Sequence, residues 1–148
     1  MNADSTPVQW STLTAEQKNQ LVATKVMGLD LHCTGRLTYG ATDILFQQQV
    51  SVCLDCNALV TTKRGQQLPA QHTRSVANYS QSLDTAWLVV RQMNEDGHQY
   101  ARFIDALEAI VGSEMFFDLF YCDQHDQHLT ADRICVAALR AVGVEVQL

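Results

Sequence analysis

The sequence predicts an α+β protein with about four helices and a small, mainly antiparallel sheet. Three observations lead there. Apolar residues recur at helical spacing in four stretches, each with a capping residue ahead of it or a glycine near its end. Between Leu37 and Thr62 the spacing changes to the two-residue alternation of a strand. The chain's 148 residues are 47% hydrophobic and 18% charged, with only two prolines, which is enough apolar material for one core and too little low-complexity polarity for a disordered chain.

Residues 1–12 read as a loose N-terminal tail, followed by a single domain over 13–148. Thr14 and Gln17 form a capping-box pattern. Leu21, Val22, Val26 and Leu29 continue it as an apolar stripe, so a first helix is expected over 15–27 with Gly28 near its end. Ile44, Phe46, Val50 and Val52 alternate with Leu45, Gln47, Gln49 and Ser51 as a strand with one buried face, interrupted by Gln48. Leu59–Thr62 is the expected return strand, and Cys53–Asn57 the turn between them. Residues 63–78, with Gly65 and Pro69, read as a long loop. Ser80 is the expected cap of a second helix carrying Leu83, Ala86, Trp87, Val90 and Met93, and Gly97 its stop. A third helix follows, with Tyr100, Phe103, Ile104, Leu107, Ile110 and Val111 on one face and Gly112 at its end. Met115–Cys122 is short and aromatic-rich, as in a strand. Thr130 caps a fourth helix with Ile134, Cys135, Ala138, Leu139 and Val142, ended by Gly143; Val144–Leu148 adds an edge strand. Stripes of this kind are core residues, Trp87 and Phe103 foremost.

Ten basic and sixteen acidic residues give a net charge of −6, which disfavours binding to duplex DNA or RNA. The acidity is uneven: residues 1–74 hold six basic and five acidic groups, residues 75–148 four and eleven. No carboxylate falls between Asp55 and Asp84, where Lys63, Arg64 and Arg74 stand beside His72. Such a stretch suits a small anion, with Tyr79 available to stack on a base; it equally suits a solvated loop. No apolar run approaches the ~20 residues of a membrane span, and residues 1–10 lack the pattern of a signal peptide. A cytoplasmic protein without membrane contact is expected.

Three segments are similar to the phage ABA-sandwich domain family of small phage and prophage accessory proteins. Leu21-Val-Ala-Thr-Lys-Val-Met-Gly28 resembles its opening helix. Tyr79-Ser-Gln-Ser-Leu-Asp-Thr-Ala-Trp87 resembles a central stretch, and Thr130-Ala-Asp-Arg-Ile-Cys-Val-Ala-Ala-Leu-Arg-Ala-Val-Gly143 its closing helix. Together they cover about a quarter of the chain. The family often has Trp where this chain has Leu29 and Asp where it has Ser82, and segment 32–75 looks like an enlargement. The resemblance implies a three-layer α-β-α sandwich-like fold and a bacterial host cell; it transfers no catalytic residue.

Five cysteines, an odd number, and no export signal argue against a disulfide framework. Cys135 lies in a helical stripe as a small buried hydrophobe. Cys53-Leu-Asp-Cys56 and Cys122-Asp-Gln-His125 each have the two-residue gap that lets two side chains grip one tetrahedral zinc from a tight turn. The expected metal ligands are therefore Cys53, Cys56, Cys122 and His125, holding a structural zinc, with Asn57 where such turns commonly have glycine. The same spacing also suits a plain hairpin turn without a metal. Phosphate-loop, nucleophile-elbow and His-Glu-x-x-His motifs are missing, so no catalytic residue is expected. Two functions fit. One is a non-enzymatic, oligomeric phage protein that binds a small anionic, nucleotide-like ligand such as an immune signal, through Lys63, Arg64, Arg74 and Tyr79. The other is an interaction module that acts on a host protein.

Overall fold

The computed structural model describes residues 6–113 and 130–148. Among them are strands β1 (Val8–Gln9), β2 (His32–Cys33), β3 (Leu37–Asp43), β4 (Gln48–Cys53), β5 (Leu59–Lys63), β6 (His72–Thr73) and β7 (Val146–Gln147). The helices are α1 (Ala15–Lys25), α2 (Leu83–Asn94), α3 (Gly97–Val111) and α4 (Ala131–Ala141), and Trp10–Thr12 is a single 3-10 turn. Among the described residues the mixed α+β class is thus present, with four helices and small antiparallel sheets. The chain divides into two units, Met1–Leu29 with Ala77–Leu148, and Asp30–Val76. The second nearly coincides with the enlargement expected at 32–75.

In the first unit α4 packs against α1, α2 and α3. Ala131, Ile134, Cys135, Val136, Ala137, Ala138, Leu139 and Ala141 are all buried, so this helix is covered nearly all round. Its alanines allow neighbouring helices to approach from several sides. Val22, Val89, Met93 and Phe103 fill the same core. The capping box of α1 has both bonds, Gln17 N–H to Thr14 Oγ1 at 3.2 Å and Thr14 N–H to Gln17 Oε1 at 2.9 Å. The helix ends two residues earlier than expected, and Gly28 turns the chain with φ +64°.

The expected tail is ordered from residue 8. Val8–Gln9 pairs in parallel with Val146–Gln147, which provides the terminal edge strand. Trp10 is buried at 2% exposure and donates its indole N–H to Asp132 Oδ1 at 2.9 Å. Lys18 stands 3.4 Å from the same carboxylate and 4.9 Å from the Trp10 ring centroid. One aromatic anchor in a polar segment is enough to fix it.

Three expectations for α2 are corrected. Its cap is Ser82, whose hydroxyl accepts from Thr85 N–H. Ser80 instead lies buried, donating its N–H and its Oγ–H to Asn19 Oδ1, both at 2.9 Å. Asn19 Nδ2 donates in turn to Asn78 Oδ1 at 2.9 Å. Gly97 does not stop α2; it opens α3 behind the Asp96 cap. The buried stripe of α2 is Ala86, Val89 and Met93, and Trp87, about 100° round the helix from Ala86, is 48% exposed. Phe103 is buried as expected. Asn19→Ala leaves the Ser80 donors and the Asn78 acceptor without their partner in a closed space. It is expected to lower stability by about 2–3 kcal/mol, read from urea unfolding; a loss under about 0.5 kcal/mol would show that the node carries no weight.

In the second unit β3, β4 and β5 form a three-stranded antiparallel meander in that order. Ser51 faces Tyr39 on one side and Val60 on the other, with an irregularity in β3 between Tyr39 and Ala41 where Gly40 lies. Ile44 and Phe46 are not strand residues. Residues 44–47 form the β3–β4 turn, in which Gln47 has φ +50°. The alternation carried on past the strand because the turn itself is apolar: Ile44, Leu45 and Phe46 are 78%, 89% and 72% exposed. The return strand is β5, as expected. The loop expected over 63–78 contains β6, which pairs antiparallel with β2, His32 facing Thr73 and Cys33 facing His72. The strand expected over Met115–Cys122 lies outside the described residues.

Candidate metal centre

The turn between β4 and β5 is built around Cys53. Cys53 C=O accepts from Asn57 N–H and Cys53 N–H donates to Ala58 C=O, both at 3.0 Å. This closes a tight loop that requires Asn57 at φ +58°. Asparagine tolerates this left-handed conformation better than other residues with a Cβ, which explains how it stands in the usual glycine position. Inside the loop Cys53 Sγ accepts from Asp55 N–H at 3.4 Å and Cys56 N–H at 3.5 Å. The loop thus turns both sulfurs of Cys-Leu-Asp-Cys toward one point.

Two further side chains reach that point from the β2–β6 ladder. Cys33 and His72 are register partners. Cys33 Sγ lies 3.8 Å from Cys53 Sγ, and His72 Nε2 lies 3.3 Å from Cys56 Sγ. The ligand atoms of Cys33, Cys53, Cys56 and His72 all fall within 4.8 Å of one another, and the four residues could hold a metal ion. Cys33 and Cys53 are buried and Cys56 and His72 half-buried. Gly35 closes the site tightly, since a Cβ there would stand 2.7 Å from Cys53 Sγ, and its N–H donates to Cys33 Sγ at 3.4 Å.

The sulfurs differ in acidity. At Cys56 burial pushes the thiol up, but the N–H groups of Ser75 and Ala58 with the side chains of His72 and Cys53 outweigh it, bringing it to about 6. At Cys33 the Gly35 N–H lowers the thiol, yet burial and the side chains of Cys56 and Cys53 leave it above its ordinary value. Burial, then the charge of Asp132, pushes Cys135 up to about 12. A thiol of pKa about 6 is roughly nine-tenths ionised at pH 7. In the native full-length protein, iodoacetamide is expected to leave Cys135 unlabelled until urea is added, since this thiol is buried in α4. Labelling of Cys135 without urea would refute its burial.

Of the expected ligands, Cys53 and Cys56 belong to this centre. Cys122 and His125 lie outside the described residues, and within them the set is completed by Cys33 and His72. The missed signal was the full spacing Cys-x19-Cys-x2-Cys-x15-His, contained entirely in the 30–76 unit. Of the residues expected to bind an anion, Lys63, Arg64 and Arg74 belong to the 30–76 unit and Tyr79 to the other. Lys63 and Arg64 are exposed at the end of β5, about 13 Å along the strand from Leu59 and the cysteine turn. Arg74 donates its N–H to Leu31 C=O at 2.6 Å and Nε–H to Asp30 C=O at 2.7 Å. Tyr79 is 4% exposed, which leaves no ring face open for stacking. No family model, curated protein or solved structure matches the chain.

Proposed function

We propose that the protein is a non-catalytic binding protein in which residues 30–76 form a structural zinc module that displays an interaction surface to a protein partner. The observation that carries this is the convergence of three thiols and an imidazole within 4.8 Å. Soft sulfur with one imidazole is a donor set suited to zinc. Two thiolates bound to one zinc at ~2.3 Å and the tetrahedral angle stand about 3.8 Å apart, the separation of Cys33 and Cys53. Four protein ligands leave no position for a reacting water, which favours a structural role over a hydrolytic one. The N–H groups aimed at Cys33 and Cys53 stabilise charge on sulfur, as a thiolate site needs.

The surface argument rests on the same unit. Tyr39, Leu54 and Leu59 are 66%, 61% and 70% exposed, in addition to the apolar β3–β4 turn. Ile44, Leu45 and Phe46 are consecutive and all exposed, and contiguous apolar surface of this kind, unlike scattered single side chains, marks contact sites. Elemental analysis of protein purified without chelator tests the reading: one equivalent of zinc is expected, and cobalt in its place should give the absorption bands of a tetrahedral thiolate site. Less than about a tenth of an equivalent, unchanged after zinc is added, overturns it.

A further inference from the structure

We infer that the metal is a switch for one part of the chain only: residues 30–76 are ordered when zinc is bound and open when it leaves, while the helical unit stays folded. This rests on the zinc reading and adds to it the consequence of losing the ion.

The buried apolar residues are divided very unequally. Among the described residues only Cys33, Cys53 and Ala58 are buried and apolar in the 30–76 unit, with Leu37 and Cys56 packed against them. Three of those five are the proposed ligands, so most of the small core is the metal site itself. The unit is 47 residues long, a size at which an apolar core rarely suffices without a metal or disulfide, and Cys33, Cys53 and Cys56 are free thiols. Its buried polar atoms add to the deficit: Ser51 Oγ, Thr62 Oγ1 and His72 Nδ1 have no hydrogen-bond partner. The helical unit has instead Phe103, Met93, Ile134, Leu139, Val22, Val89 and Val136 fully buried, and none of them is a ligand.

The topology says what the ion joins. Cys33 and His72 come from the two-residue β2–β6 ladder where the segment enters and leaves; Cys53 and Cys56 come from the turn at one end of the β3–β4–β5 meander. Zinc therefore clips the meander to its own neck. Without it, backbone bonds such as Leu54 N–H to Arg36 C=O at 3.0 Å and Arg74 N–H to Leu31 C=O remain. Too few buried side chains support them to hold the arrangement closed.

Hydrogen exchange of the full-length protein, zinc-loaded and after chelation, reads this directly. Amides of Leu37–Asp43, Gln48–Cys53 and Leu59–Lys63 are expected to exchange about a hundredfold faster once zinc is removed, with α1, α3 and α4 changing less than about twofold. Zinc added back should restore the original rates, and His72→Ala should match the chelated protein without chelator. If purified protein carries zinc but chelation leaves the strands protected, the switch is wrong and the metal reading survives. If chelation opens α3 and α4 equally, the two units are one cooperative body and the switch is again wrong. If no zinc is bound, the metal reading falls and the switch with it.

Discussion

Replacing Cys53 by serine is expected to weaken zinc binding by about two to three decades in Kd, measured by competition with a chromophoric chelator. A structural zinc site contributes roughly 10–16 kcal/mol over four ligands, so one ligand accounts for about 3–4 kcal/mol. Serine is a poor substitute because its oxygen is hard, stays protonated at neutral pH and falls short of the sulfur's reach. Cys53 is the right position because it is fully buried, receives two N–H groups and lies against Gly35. Cys135→Ser is the matched control, with the same chemical change at an equally buried site in α4, and should leave zinc affinity unchanged. A Cys53→Ser Kd within threefold of the parent would remove this residue from the site.

Phe103→Ala is expected to cost about 3–5 kcal/mol in urea unfolding, the range for emptying an aromatic from a closed core. Phe103 is the largest fully buried side chain among the described residues and lies 6.3 Å from the Tyr100 ring, centroid to centroid. Since a domain of this kind is stable by about 5–15 kcal/mol, the variant should unfold well below the parent's urea midpoint. Zinc stoichiometry, measured at low temperature without denaturant, should stay at one. A loss under about 1 kcal/mol would mean that α3 repacks without this ring.

The helices were legible because their signals are local. Thr14 and Thr130, the two caps legible in advance, sit directly before their helices, as do the unread Ser82 and Asp96, and each hydroxyl or carboxylate takes an N–H two or three residues ahead. The error at Ser80 shows the limit: two serines compete for the cap, and the choice depends on Asn19, sixty residues away in sequence. Trp87 was misplaced because bulk was read as burial, although the stripe through Ala86, Val89 and Met93 leaves it outside. In the 30–76 segment the strands were partly legible and the apolar β3–β4 turn was not, since hydrophobicity normally ends where a turn begins. Half of the metal centre was readable from Cys53 and Cys56. The other half depends on β2 pairing with β6, two strands of two residues each, too short to leave any periodicity.

That short ladder also bears on how such a chain could be assembled. Because Cys33 faces His72 and His32 faces Thr73, the segment departs and returns through a gap of one strand spacing, about 5 Å. A span that narrow can be bridged by a tight turn, so everything between could be excised or exchanged while the flanking chain keeps its path. The stretch that carries Cys33, Cys53, Cys56 and His72 is in that sense a cassette, with both of its splice points in one place.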